Sequence, residues 1–101
     1  MSDDPTSSDK QAKPVKIEVQ LDEATAMGEY VNMARIFHTQ TEFVLDALFV
    51  APGTNKAKVR SRLILSPMHA KNLLAALGHN VRMYKSKFGE IKVAKGGPVL
   101  H

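Results

Sequence analysis

Lys58, Arg60 and Arg62 stand at alternate positions, and Lys56 precedes them by one more step. Alternate side chains of an extended strand share a face, so the spacing predicts a row of cations. Arg82, Lys85 and Lys87 add positive charge further along. Such residues bind phosphate oxygens in a salt-sensitive, sequence-tolerant way. Single strands also need aromatic rings on which bases stack. Tyr30 is the candidate here, with Phe37 as a second, and the chain has no Trp. The plain alternative pairs the cations with Glu29, Glu42 and Asp46, and leaves Lys85 and Lys87 to the dipole of a helix C-terminus.

Asp46 is the other residue with chemistry in reach. If the loop around Pro52-Gly53 pairs Val50 with Lys58, Asp46 and Arg62 oppose each other across two strands. A structural ion pair is then the expected role, not catalysis. His69 and His79 are ten positions apart, so they do not share one helical turn, and no second ligand stands at a metal-binding spacing. The serines lack an elbow motif, and Gly96-Gly97 precedes no helix. Neither a catalytic residue, a metal site nor a cofactor is expected, and the chain reads as a non-enzyme.

These side chains need a scaffold. Val15, Ile17 and Val19 alternate with Lys16, Glu18 and Gln20, the period of a half-buried strand. Asp22 to Met27 reads as a turn and Glu29 to Phe37 as a second strand, favoured by Tyr30, Val31, Ile36 and Phe37. His38 to Thr41 connects it to a third strand at Glu42–Val50, with Phe43, Leu45, Ala47 and Phe49 on one face. Lys58 to Leu65 is the fourth. Ser66 then offers a helix cap and Pro67 a first helical residue. Ala70, Leu74, Leu77, Val81, Tyr84 and Phe88 recur at steps of four and three, a helical stripe that Leu73 widens. The expected fold class is α+β, a four-stranded antiparallel meander followed by one long amphipathic helix lying across the sheet (β-β-β-β-α) and dimerising. Residues 1–14 read as a disordered leader, 15–89 as one domain and 90–101 as a flexible tail, within which Ile91 and Val93 could dock as an edge strand.

Composition narrows the classes. The chain has 101 residues, room for one small and marginally stable domain. It has no cysteine, which excludes disulfides and thiolate metal sites. Neither a signal-peptide pattern nor an apolar run long enough for a membrane span is present, so a cytoplasmic protein is the default expectation. The net charge of +4 is divided unevenly: residues 1–55 carry four basic and nine acidic residues, and residues 56–101 carry ten basic residues and Glu90. The halves are thus −5 and +9, which suits an anionic partner or contact between unlike surfaces.

The spaced residues Gly28-x-Tyr30-x-Asn32, Glu42-Phe43-x-x-Asp46, Arg62-x-x-x-Ser66-Pro67, Lys71-x-Leu73-Leu74-x-x-Leu77-x-x-Asn80 and Phe88-Gly89 resemble a small prokaryotic family recorded only as a domain of unknown function. The resemblance spans roughly Val15 to Gly89 and implies no activity. It implies that Asp46 and Pro67 are hallmark positions. Ala47 departs from the aromatic residue usual after that Asp. A weaker similarity, of topology alone, is to Pur-alpha repeats and to positive-cofactor-four-like and Whirly-like single-strand-binding proteins.

The expectation is therefore a small non-enzymatic nucleic-acid-binding protein, a homodimer with single- or double-stranded nucleic acid as partner and neither membrane nor small-molecule substrate. Lys56, Lys58, Arg60, Arg62, Arg82, Lys85, Lys87 and Tyr30 would make the contacts, with Asp46, Ser66 and Pro67 structural. The alternative is a protein-interaction or homo-oligomerisation module without a nucleic-acid role, its charges fixing orientation.

Overall fold

The computed structural model describes residues 14–93. It is α+β: a helical turn α1 (Glu23–Ala26), strands β1 (Met33–His38), β2 (Phe43–Val50) and β3 (Ala57–Leu65), then the long helix α2 (Pro67–Phe88). The strands form an antiparallel sheet in the order β1-β2-β3. Three strands therefore stand where the sequence pattern predicts four.

The missing strand is Val15–Leu21. It runs without regular structure and its apolar side chains face solvent. Alternation specifies an extended backbone with two unlike faces, but a strand also needs an edge to pair with. The next segment denies it one. Asp22 caps α1 by accepting from the Thr25 N–H at 2.9 Å, a bond that also holds its carboxyl below the ordinary aspartate range. The expected turn is thus one capped helical turn, which Gly28 ends with φ 78°. The expected second strand begins late, at Met33, because residues 29–32 serve other contacts described below.

The remaining strands match their patterns. In the β1–β2 hairpin the Thr39 N–H donates to the Glu42 carbonyl at 2.8 Å, and the Thr39 hydroxyl accepts from the N–H groups of Thr41 and Glu42. The β2–β3 turn uses Gly53 at φ 79° and two bonds from Thr54 to the Ala51 carbonyl.

Helix α2 begins and ends as its sequence dictates. The Ser66 hydroxyl accepts from the His69 N–H at 3.2 Å, Pro67 occupies the first turn, and Gly89 follows the last turn with φ 96°. The expected packing does not follow. α2 meets the sheet chiefly at β3, and none of its residues is buried. Ser66 alone separates Leu65 from Pro67, so this tight corner sets the helix direction, and the stripe stands off from the sheet. Among the described residues only Leu48 and Asp46 are buried. A small domain ordinarily removes over half of its surface from water. This chain has an ordered scaffold and almost no enclosed core. Most of the expected leader and of the expected tail (1–13 and 94–101) lies outside the described residues. Ile91 and Val93 are described, and neither pairs as a strand.

Candidate functional site

The sheet presents two unlike faces. On one, Asp46 is fully enclosed and holds two arginines. The Arg62 Nε donates to its Oδ1 at 2.7 Å and the Arg62 Nη2 to its Oδ2 at 2.9 Å. The Arg35 Nη2 and Nε donate to Oδ2 at 2.7 and 3.2 Å. The bonds from Arg62, then those from Arg35, hold the Asp46 carboxyl far below the ordinary aspartate range, against an opposing effect of burial, and the same contact raises Arg62. Phe37 lies beside the pair: the Arg35 and Arg62 guanidinium carbons stand 5.9 and 5.7 Å from its ring centre. One carboxylate thus serves two cations, next to a half-exposed aromatic ring.

The expected Asp46–Arg62 opposition is present, by a route the loop reading does not contain. Val50 pairs with Ala57, one residue earlier than the expected Lys58. A bulge then restores the register. Leu48 pairs with Val59, Ala47 with Ser61 and Asp46 with Arg62, so Arg60 has no partner across the ladder. Without this extra residue Asp46 would oppose Ser61, and Arg62 would point to the other face.

The bulge also corrects the expected row of cations. Lys58 opposes Phe49 and Arg62 opposes Asp46. Phe49 and Asp46 lie on different faces of β2, so Lys58 and Arg62 do too. Arg60 sits over the Phe49 ring at 5.4 Å and its Nη1 pairs with the Glu29 carboxylate at 3.1 Å. Tyr30 packs edge-on against the same ring, 6.2 Å between centres. The structure therefore brings Arg60 and Tyr30 together and separates both from Arg62. Lys56 precedes β3. Arg82, Lys85 and Lys87 lie in the later turns of α2, where Lys85 reaches Glu90 at 3.4 Å and Lys87 stands 5.6 Å from the Phe88 ring. These helix cations belong to a separate element from the β3 row.

Arg35 was not among the residues the cation spacing selects. Hairpin arithmetic contains it: with His38 opposite Phe43, Arg35 must oppose Asp46. Asn32 is a second such residue. Its side-chain oxygen accepts from the Val50 N–H at 2.9 Å and its amide donates to the Val50 carbonyl at 3.0 Å. The amide group stands in for one more backbone pairing and locks the start of β1 to the end of β2.

The second face is apolar and open. Ile36, Phe43, Leu45 and Leu65 from the sheet and Ala70, Leu73, Leu74 and Leu77 from α2 line a groove of about 440 Å³. Lys71 is the only charged residue along it. Leu74 is 71% exposed, and Leu77, Val81, Tyr84 and Phe88 continue the exposed stripe to the helix end. No group of three His, Asp or Glu side chains suited to a metal ion forms among the described residues, and none of their helices is long and apolar enough to cross a membrane.

Residues 1–93 match the family described as "Protein of unknown function (DUF3467)". The chain belongs to this family. None of the curated proteins and none of the solved structures matches it. Membership in DUF3467 assigns no activity, so the functional reading rests on the two faces. In this DUF3467 chain several of the residues that carried the family resemblance hold the scaffold together. Gly28 ends α1, Tyr30 seats on Phe49, Asn32 clamps Val50, Asp46 gathers two arginines, Ser66-Pro67 starts α2 and Gly89 follows its end.

Proposed function

We propose that this protein is a self-associating interaction module, whose open apolar face is covered by a second copy. The exposed stripe of α2, set over an apolar sheet face, carries this reading. Exposed apolar patches on that scale mark interaction sites, and a stable interface buries roughly 800 Å² per partner. Ile36, Leu73, Leu74, Leu77, Val81, Tyr84 and Phe88, each at least 40% exposed, offer an area of that order. A second copy is the partner of choice because a chain with so little enclosed core gains its core by pairing.

Leu74→Asp separates this reading from a stable lone chain. On a free surface the substitution changes stability by no more than about 0.5 kcal/mol. Against a partner it removes a buried leucine and inserts a charge, and costs more than about 2 kcal/mol. The expected result in sedimentation velocity is a wild-type dimer that Leu74→Asp dissociates or unfolds. A wild-type monomer at every concentration, with Leu74→Asp unfolding at the same denaturant midpoint, defeats the proposal.

Nucleic-acid binding is the second reading, and one observation favours it: the Phe37 ring flanked by Arg35 and Arg62, two cations over one carboxylate. A flat ring beside guanidinium groups is a surface on which a base stacks while its phosphate meets a cation. Lys56, Lys58, Arg82, Lys85 and Lys87 would add charge from other elements. Fluorescence anisotropy with single- and double-stranded oligonucleotides at about 20 mM salt, where electrostatic binding is strongest, is the test. Binding should weaken steeply with salt and fall for Phe37→Ala. No binding at that ionic strength removes the reading.

A further inference from the structure

Val15–Leu21 alternates apolar and polar residues in sequence and pairs with no strand among the described residues. Val15, Ile17, Val19 and Leu21 are 80, 78, 85 and 66% exposed. In a strand conformation these four apolar side chains would share one side, half of a sheet without the other half. The chain's own contacts keep the segment from its own β1. Glu29 is tied to Arg60 of β3, and Tyr30 is seated on Phe49 at the end of β2. The polypeptide thus crosses from the start of β1 toward β3 before it reaches the arm.

The two sheet edges differ. β3 carries a bulge at Arg60 together with Lys58, the devices by which proteins block edge pairing. β1, Met33-Ala34-Arg35-Ile36-Phe37-His38, has no bulge, lysine or proline. Its outer backbone is open to another strand.

We propose that Val15–Leu21 of one chain adds as a fourth strand to the outer edge of β1 in a second copy, the two copies exchanging arms. The lengths agree, seven residues against six. So do the faces. With Val15, Ile17, Val19 and Leu21 on the side of Ile36, the arm extends the apolar face that runs under α2. Lys16, Glu18 and Gln20 then fall on the side of Arg35 and Phe37, with Glu18 at the centre of the arm, where two guanidiniums share the carboxylate of Asp46. A second carboxylate there matches the surplus positive charge. The occupant is a copy of this chain because the same sequence supplies both the unpaired strand and the unguarded edge. The inference rests on the self-association reading for the presence of that copy, and goes beyond it in naming the segment exchanged.

Hydrogen exchange on the full-length protein, above and below the dimer dissociation concentration, tests it. Residues 15–21 and β1 should be protected in the dimer, and the arm should lose its protection on dilution. The double variant Glu18→Pro/Val19→Pro, at adjacent positions whose N–H groups point to opposite sides of the strand, removes an N–H from each arm's new ladder whichever way the arm is turned and should raise the dimer dissociation constant at least about tenfold. A dimer whose arm exchanges freely, or whose dissociation constant is unmoved by the prolines, overturns the arm exchange and leaves self-association standing. Arm protection that persists in an undissociable monomer overturns both, since the arm then lies on its own edge.

Discussion

At the scale of single residues, Asp46 is the point on which the charged face turns. It is enclosed and it accepts from two arginines. Its folded-state carboxyl is depressed, with Arg62 the first cause and Arg35 the second. The sign follows directly. An acid whose pKa is lower in the folded state stabilises the fold above its unfolded value, here 3.8, and loses that contribution as pH falls below it. Wild-type stability should therefore decline on acidification below about pH 4, and Asp46→Asn should remove that part of the decline, so the two urea midpoints converge at low pH. At neutral pH, Asp46→Asn should cost more than Arg35→Gln. The first leaves two cations facing each other without an anion, whereas the second leaves Asp46 with its bidentate partner Arg62. Equal losses in the two variants at pH 7, or parallel midpoints from pH 7 to pH 3, would show that the triad does not hold the sheet.

At the scale of elements, what was legible in the sequence was what depends on neighbours along the chain. α2 is the clearest case. Ser66, Pro67 and Gly89 mark its ends, and the step of four and three marks its face, all within hydrogen-bonding reach of one helix. β2 shows its alternation for the same reason, and β3 does so on either side of its bulge. What was not legible depended on a distant segment. The arm has the period of a strand, yet strand pairing requires an edge, and Glu29 and Tyr30 direct the chain elsewhere. The cation row reads as one face because alternation is assumed to be unbroken, but a bulge is invisible to a period of two. Its cause lies in the turn: Val50 pairs with Ala57, the loop is one residue tighter than expected, and only an extra residue at Arg60 brings Arg62 opposite Asp46. The Asp46–Arg62 pair could thus be anticipated while its partner Arg35 and the fate of Arg60 could not be read from β3 alone. The helical stripe carries a similar lesson. Period identifies an apolar face, and says nothing of whether the same chain or another covers it.

At the scale of the whole molecule, the described residues enclose very little core. Ordered strands and a capped helix of 22 residues coexist with a single buried hydrophobic residue among the described ones. Helices draw most of their stability from packing an amphipathic face, not from intrinsic propensity, and α2 also carries Gly78, which costs about 1 kcal/mol relative to Ala. A lone copy would have to hold α2 through its corner at Ser66 and the edge of β3. In the proposed dimer two copies would solve this together, since each supplies an apolar stripe, an open sheet face and an unpaired arm. The uneven charge supports the same arrangement: residues 1–55 sum to −5 and residues 56–101 to +9, so unlike surfaces of two chains attract where like ones would not. If folding and association are one event, the unfolding equilibrium contains protein concentration. Each tenfold rise in concentration then adds about 1.4 kcal/mol to the free energy of unfolding per dimer, and the melting temperature rises with it. A self-sufficient single chain gives a melting temperature independent of concentration. Differential scanning calorimetry over a hundredfold range of concentration, about 2.7 kcal/mol on this scale, reads the difference directly, and a flat result places the core inside one chain.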